Sequence, residues 1–170
     1  AGGLNVSVLP RLEDEWALRR LVLLYAHAVD RNQPDLLVSL FTEGAVVEGP
    51  NFQIAGRQQI RAVPGKLALK YRGTMHCVFN HTTDIAGDTA QGETYCIAYH
   101  GIESGDGQSM TLNLAIRYQD RYMRLGREWR FAHRQLVVQW RSTTKVESLP
   151  RPEEFDRRIG QYLTPPRHEI

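Results

Sequence analysis

The sequence has little of what several large classes of protein need. Only Cys77 and Cys96 are cysteines among 170 residues, too few for the disulfide framework of a small secreted domain. We expect both to be reduced and packed as small hydrophobic side chains. No apolar run reaches the roughly 20 residues of a transmembrane helix, and no signal peptide is recognisable. The sequence therefore predicts a cytoplasmic protein without a membrane partner.

Strong charge and cofactor motifs are also missing. The formal net charge is +2, and the basic residues form no run, so we expect no nucleic-acid partner. There is no glycine-rich phosphate loop after a strand and no Gly-x-Ser-x-Gly nucleophile elbow. These absences favour a site built from ordinary side chains, and we predict no cofactor.

The pattern of apolar residues and turns divides the chain into a helical part and a strand-rich part. The length fits one domain of 170 residues, with a core over 11–141 and a C-terminal tail over 142–170. Gly and Pro mark the breaks, and Pro64-Gly65 interrupts or ends the third helix early. Helices are predicted over 11–29, 35–41 and 57–69, strands over 45–48, 74–85, 91–102, 110–125 and 129–141, and one or two helical turns over 153–162.

Helices first and four consecutive strands second predict an α+β fold. Short connections between long strands indicate an antiparallel meander. Such a sheet is expected to curve, with the helices packed in its concavity. The mouth of that concavity is where a small-molecule site would lie.

Asp30 and Tyr25 lie near the end of the first predicted helix. At a helix C-terminus the dipole disfavours a carboxylate, which predicts a raised pKa for Asp30 and suits a general base. Asp30 could equally belong to a solvated turn. Tyr25 precedes Asp30 by five residues, so the two converge only if the helix ends before Asp30. Tyr25 could otherwise be a core aromatic.

His76 and His100 lie on consecutive predicted strands. Alternation places His76 on one face with Val78 and Asn80, a mixture of polar and apolar groups typical of a pocket wall. His100 shares its face with small residues that would leave room for a ligand. The register is not fixed, and a single strand histidine is usually structural. With Asp30 the histidines could form a metal-ligand set, but compact ligand spacing is missing, so we predict no metal.

Cationic and aromatic side chains mark the last two strands. Arg134 and Trp140 share a face by alternation and could bind substrate. An arginine on an apolar face must be paired or face a cavity, so Arg134 either binds a substrate oxygen or pairs with Asp30 or Glu48. Arg124, with two tyrosines on its face of the preceding strand, could line the mouth or an interface.

Several short motifs occur in an order that resembles the SnoaL-like branch of the nuclear-transport-factor-2-like superfamily, and the resemblance covers about residues 11–141. It implies a cone-shaped barrel in which three helices pack into a strongly bent antiparallel sheet, the cystatin-like cone, around an internal pocket. The motifs are Leu-Tyr-Ala-His-Ala-Val-Asp at 24–30, Leu-Phe-Thr-Glu-Gly-Ala at 40–45, Gly-Arg-Gln-Gln-Ile at 56–60, Met-His at 75–76, Arg-Tyr-Gln-Asp-Arg-Tyr at 117–122 and Trp-Arg-Phe at 129–131.

Within that branch the sequence is most similar to cofactor-free lyases of the scytalone dehydratase, bile-acid 7α-dehydratase and hexachlorocyclohexane dehydrochlorinase kinds. The resemblance implies that Asp30 and His76 form a catalytic dyad, with Tyr25 and His100 as partners in the pocket. The cationic helper of those enzymes is left open among three arginines: Arg124, Arg134 and Arg141.

The function predicted is a lyase that acts by general acid/base elimination on a hydrophobic aromatic or polycyclic small molecule. Water, halide or formaldehyde could leave, so dehydration and deformylation are both included. Asp30 would orient His76, His76 would remove the proton, and Tyr25 and His100 would assist the leaving oxygen. The alternatives are an isomerase or cyclase of the ketosteroid-isomerase or polyketide-cyclase type, a scaffold like a dioxygenase β subunit, and a binding module. A homo-oligomer is expected, with a trimer favoured and a dimer possible.

Overall fold

The computed structural model describes residues 8–149, with side chains from residue 11 onward. The predicted helical turns over 153–162 lie outside the described residues. Four helices and six strands follow one another along the described chain: α1 (Val8–Asp30), α2 (Pro34–Ser39), β1 (Phe41–Gly49), β2 (Phe52–Ala55), α3 (Arg57–Arg61), α4 (Val63–Lys70), β3 (Thr74–Ala86), β4 (Thr89–Glu103), β5 (Ser109–Leu125) and β6 (Glu128–Lys145).

One apolar stripe attaches α1 to the sheet. Leu18, Val22, Tyr25 and Val29 are all buried, and their three- and four-residue spacing places them on one face of the helix. The stripe packs on the concave side of the sheet, where it shares one hydrophobic core with Phe131 of β6. The predicted arrangement of helices inside a curved sheet is confirmed, and so is the α+β class.

The six strands form one open sheet in the order β2-β1-β6-β5-β4-β3. The meander from β3 to β6 is antiparallel throughout. The first strand, however, joins β6 in parallel, with Val46 opposite His133. The sheet is therefore mixed, whereas an all-antiparallel sheet was expected. The parallel pair is possible because the whole meander lies between β1 and β6 in the sequence and supplies the long crossover that parallel pairing needs.

Two tight turns set the hairpins of the meander. Gly87 has φ 61° and Gly126 has φ 65°, a backbone region that side chains other than glycine rarely adopt. Each glycine opens a two-residue connection, since Ala86 pairs with Thr89 and Leu125 pairs with Glu128. Turns of this kind match the twist of the flanking strands, so the sequence locates both hairpins well.

Irregular pairing bends the long strands. The register shifts between Val78 and His81 on β3, and it shifts twice between β5 and β6. In each place two successive residues oppose one on the partner strand, which is the pattern of a β-bulge. Bulges raise the local twist and curvature, and they also reverse which face the following side chains occupy.

Several element boundaries differ from the predictions. The predicted third helix is divided at Ala62 into α3 and α4, because Pro64 lacks a backbone N–H and is tolerated only near a helix start. β2, which was not predicted, pairs with β1 across the turn at Pro50. β6 continues to Lys145, so the last strand is longer than predicted and runs past residue 141. Over residues 8–149 no helix combines the length and apolar character that crossing a membrane requires.

Candidate active site

A cavity of about 320 Å³ lies between the concave face of the sheet and the helices. Most of its wall is aliphatic or aromatic, from all four helices and from every strand of the sheet. The polar groups on the wall are few: Tyr25, Tyr71, His76, His100 and Tyr118, together with two lysines of α4. A mostly apolar wall with a few convergent polar groups is typical of a small-molecule site.

Asp30 holds His76 from behind the cavity wall. The two nearest side-chain atoms, His76 Nδ1 and Asp30 Oδ1, are 2.6 Å apart. The backbone N–H of His76 donates to Asp30 Oδ2 at 2.8 Å, and the Thr74 hydroxyl donates to Oδ1 at 2.8 Å. His76 and Asp30 side chains are 7% and 17% exposed, so these contacts are largely shielded from water and fix the ring position.

The charge state of Asp30 follows from these contacts. Burial alone would raise the pKa of Asp30, but the hydrogen bonds from His76 and Thr74, with the charge of His76, lower it below its usual value. The raised pKa expected from the helix end is therefore wrong. Asp30 is instead a carboxylate that stays ionised and keeps Nδ1 of His76 protonated, which leaves Nε2 free to act as a base.

His100 lies beside His76 on the cavity wall. The ring centroids are 5.9 Å apart at 77°, and Nδ1 of His100 lies 3.3 Å from the carbonyl oxygen of Leu112. A carbonyl only accepts, so Nδ1 carries the proton. Burial and the neighbouring His76 lower the pKa of His100, and the ring is therefore neutral with Nε2 as an acceptor.

Tyr25 faces the same cavity from α1, although α1 continues to Asp30 rather than ending before it. The helix therefore separates Tyr25 from Asp30, whereas Tyr25 and His76 both line the cavity. Burial raises the pKa of Tyr25 and raises that of Tyr118 well above the usual value. Both phenols thus keep their protons and can donate hydrogen bonds.

The sequence profile of the SnoaL-like domain matches residues 10–135. The chain belongs to the SnoaL-like family. No protein of curated function is similar enough to the chain to count as a match. The shared region contains all four residues that formed the predicted site, Tyr25, Asp30, His76 and His100.

Solved structures share the fold of this SnoaL-like protein. A provisionally named scytalone dehydratase from Novosphingobium aromaticivorans is 24% identical with TM-score 0.70, and the match covers 84% of this chain and 95% of the dehydratase chain. A type 2 hexachlorocyclohexane dehydrochlorinase is 18% identical with TM-score 0.74, covering 85% and 97%. The LinA-type3 enzyme of Novosphingobium barchaimii is 17% identical with TM-score 0.70, covering 83% and 95%. At these identities the likeness establishes the fold.

Arg134 occupies the core of this SnoaL-like protein rather than the cavity wall. Its Nε and Nη2 donate to Asp120 at 2.9 Å each, and both side chains are fully buried. The expected pairing with Asp30 or Glu48 is therefore wrong. The guanidinium carbon lies 4.1 Å from the ring centroids of Tyr25 and Tyr118, so Arg134 supports the two phenols from behind.

Arg124 is also held away from the cavity. Its guanidinium donates to Asp14 at 2.7 and 3.1 Å and to Asp88 at 3.0 Å. It also stacks over Trp129, 4.6 Å from the ring centroid. The guanidinium of Arg124 thus contacts two carboxylates and an aromatic ring, and these contacts link α1 to the β3–β4 and β5–β6 turns. The structure does not place it where a substrate in the cavity could reach.

Trp140 and Asn80 are separated from the cavity by bulges. Trp140 was grouped with Arg134 by simple alternation, but the extra residue Gln139 turns Trp140 to the outer face, where it is 68% exposed. The bulge in β3 likewise leaves Asn80 exposed and turns His81 inward. Neither side chain lines the cavity, because one inserted residue reverses the inside–outside pattern.

Two residues near the dyad were missed at the sequence level. Thr74 shares the face of His76 two positions earlier, a signal that could have marked it as a partner of Asp30. Tyr71 precedes β3, and its ring centroid is 4.6 Å from that of His100; no pattern indicated it. Within residues 8–149 no group of three or more His, Cys, Asp or Glu side chains could hold a metal ion.

Proposed function

We propose that this SnoaL-like protein is a lyase that eliminates a leaving group from a hydrophobic aromatic or polycyclic small molecule, without a cofactor. The observation that carries the proposal is the buried contact of 2.6 Å between Asp30 and His76, with His76 on the wall of an apolar cavity. A histidine positioned by a carboxylate is a recurrent general base. The dehydrochlorinases and the provisionally named scytalone dehydratase that share the fold carry names of the same reaction class.

His76 is the base in this proposal. Asp30 accepts a hydrogen bond from the protonated Nδ1, so Nε2 offers its lone pair, and no described residue hydrogen-bonds to Nε2. When Nε2 removes a substrate C–H proton, the ring becomes a cation beside the Asp30 carboxylate, which stabilises it. General acid/base help of this kind contributes about 10²–10⁴ in rate.

A tyrosine is the acid in this proposal. As the C–H electron pair forms the new double bond, the bond to the leaving group breaks, and Tyr25 donates its proton to a leaving hydroxyl so that water departs. The proton taken by His76 then returns to the phenolate and restores both groups. His100, neutral with Nε2 as an acceptor, holds a substrate hydroxyl rather than protonating the leaving group.

The test compares two histidine–carboxylate pairs in the same protein. His76→Gln removes the base, whereas His133→Gln disrupts a similar pair, in which His133 Nε2 lies 2.9 Å from Glu48 outside the cavity. Purified variants are incubated with a panel of hydroxylated and halogenated aromatic compounds, and products are followed by mass spectrometry. We expect turnover to fall at least a hundredfold for His76→Gln and to stay at the wild-type level for His133→Gln. Full activity of a folded His76→Gln variant would remove the proposed base.

The same assay separates elimination from the isomerase or cyclase alternative. Loss of water, hydrogen halide or formaldehyde lowers the product mass, whereas isomerisation leaves it unchanged. The family relation and the cavity are compatible with both reactions. We favour elimination because the basic group on the wall is a histidine backed by a carboxylate, and carboxylates and tyrosine more often serve the isomerases.

We also propose that the protein forms a homo-oligomer, with a trimer favoured and a dimer possible. Met75, Tyr99 and Trp140 expose 62%, 36% and 68% of their surfaces on the outer face of the sheet, and exposed apolar clusters often mark interfaces. Sedimentation of the protein expressed alone gives the mass. Aggregated or monomeric protein that becomes homogeneous only with a second chain would favour the dioxygenase-subunit alternative instead.

A further inference from the structure

Among the described residues that line the cavity, the fixed charges are all positive. Lys66 and Lys70 contribute ammonium groups, and no Asp or Glu is among the described lining residues. The remaining wall is apolar or aromatic apart from the two histidines. Buried aliphatic surface favours a hydrophobic body, whereas an unbalanced pair of cations favours a negative group at one end of it.

The helix α4 presents both lysines on its cavity-lining face. Val63, Lys66, Leu67 and Lys70 all line the cavity, and their spacing of three and four residues is that of one helix face. Like charges four residues apart repel each other on a helix. An anion bound between the two ammonium groups would relieve that repulsion. These are two of the only three lysines in the sequence; the third is Lys145.

The neighbouring cations already form ion pairs, whereas Lys66 and Lys70 form none with the described residues. Arg57 pairs with Glu43 at 3.4 Å, and Arg72 pairs with Glu103 at 3.0 Å. Arg61, at the end of α3, pairs with Asp35. Over residues 11–149 neither lysine contacts a carboxylate. Both lysines are exposed and both line the cavity, so an incoming ligand can reach them.

Lys70 is close to the residues that would do the chemistry. Its Nζ lies 5.1 Å from the ring centroid of Tyr71, and the Tyr71 ring is 4.6 Å from that of His100. His100 in turn lies 5.9 Å from His76. A single aromatic molecule could therefore place a negative end at the lysines while its ring contacts the histidines.

We infer that the ligand of the cavity is an amphipathic anion, with an aromatic body in the cavity and a carboxylate at Lys66 and Lys70. The inference rests on the proposed function only in taking this cavity as the substrate site. It defines the substrate class more narrowly than a neutral hydrophobic molecule, and it is tested by binding alone.

The experiment uses two probes of almost the same shape, 2-naphthoate and 2-naphthamide, titrated calorimetrically into the full-length protein. We expect the carboxylate to bind about tenfold more tightly, the order expected for two partly exposed ion pairs. Added NaCl should reduce that preference because the pairs are exposed to solvent. The Lys66→Gln/Lys70→Gln variant should bind both probes equally, whereas Lys145→Gln should keep the preference.

Equal binding of the two probes, a preference that survives in the double variant, or no binding of either probe would each overturn the inference. Circular dichroism and thermal unfolding confirm that the double variant is folded; both lysines are exposed, so their replacement should leave the core intact. The His76→Gln variant separates this inference from the proposed reaction. If it binds naphthoate but the wild type eliminates nothing, the ligand class stands and the lyase proposal fails.

Discussion

Replacing Asp30 by Asn tests the geometry of the dyad most directly. Asp30 accepts three hydrogen bonds, from His76 Nδ1, from the backbone N–H of His76 and from the Thr74 hydroxyl. An amide offers one oxygen and one NH₂ group. If the oxygen took the place of Oδ1, the NH₂ group would face the His76 backbone N–H, leaving a buried donor unpaired at about 1–3 kcal/mol.

The opposite orientation satisfies every group. The Asn oxygen then accepts from the His76 backbone, and the NH₂ hydrogens donate to His76 Nδ1 and to the Thr74 oxygen. This arrangement forces the proton of His76 onto Nε2, so the nitrogen facing the cavity becomes a donor and can no longer remove a proton. We therefore expect Asp30→Asn to switch the tautomer of His76 and to reduce turnover by about 10²–10⁴.

The same change has a predictable effect on stability. Hydrogen bonds to a charged group contribute about 1 kcal/mol more than neutral ones, so converting three of them lowers the free energy of unfolding by about 3 kcal/mol. For a chain of this size that corresponds to a fall in Tm of about 6–12 °C. Urea unfolding followed by tryptophan fluorescence measures the loss at 25 °C.

Long-range proton–nitrogen correlation spectra of histidine-labelled protein identify the tautomer. The matched control is Glu48→Gln, which changes the carboxylate beside His133 and should leave the His76 signals unchanged. If His76 in Asp30→Asn keeps its proton on Nδ1, or if turnover stays at the wild-type level, the assignment of Asp30 as the orienting group is wrong.

Three further predictions concern stability. Burial lowers the pKa of His81 to about 4, so between about pH 4 and 6.5 the unfolded chain binds a proton at His81 that the folded protein does not. The free energy of unfolding should therefore fall as pH drops from about 6.5 to about 4. In urea titrations His81→Gln should flatten this dependence on pH. Arg134→Met should destabilise the protein by about 3–5 kcal/mol because Asp120 is left as an unpaired buried charge, whereas the double replacement with Asp120→Leu should recover much of this; additive losses in the double-mutant cycle would contradict the pairing. Arg124→Gln should lower Tm but leave KM unchanged, because Arg124 lies outside the cavity; a raised KM would place it in the site.

The contact between Asp30 and His76 was expected from the resemblance to the SnoaL-like branch, and the position of each residue near the end of a regular element followed from the sequence pattern. The helix that ends at Asp30 and the strand that begins two residues before His76 are clear from periodicity and turns. Their contact requires only that α1 crosses the start of β3. The helix at Asp30 and the strand at His76 were therefore predicted correctly, although 46 residues separate Asp30 from His76.

The environment of the arginines could not be predicted in this way. Counting back from the turn at Gly126, Asp120 would face His133. The extra residue Ala132 instead brings Arg134 opposite Asp120. A single inserted residue, which no periodicity reveals, thus decided that Arg134 is a buried ion-pair partner rather than a substrate ligand.

The sequence by itself determined most of the helices and strands and the two glycine hairpins, and it contained the side chains that we propose for acid/base chemistry. Only the tertiary structure decided which of them face one another. Simple pairing from the Gly87 turn would put His100 opposite Met75, on the face away from His76. The bulge between Val78 and His81 shifts the register so that Thr74 faces His100, and both histidines then point into one cavity. Because side chains alternate every residue along a strand, one inserted residue reverses a face, and the alternation in the sequence does not reveal where that residue is inserted.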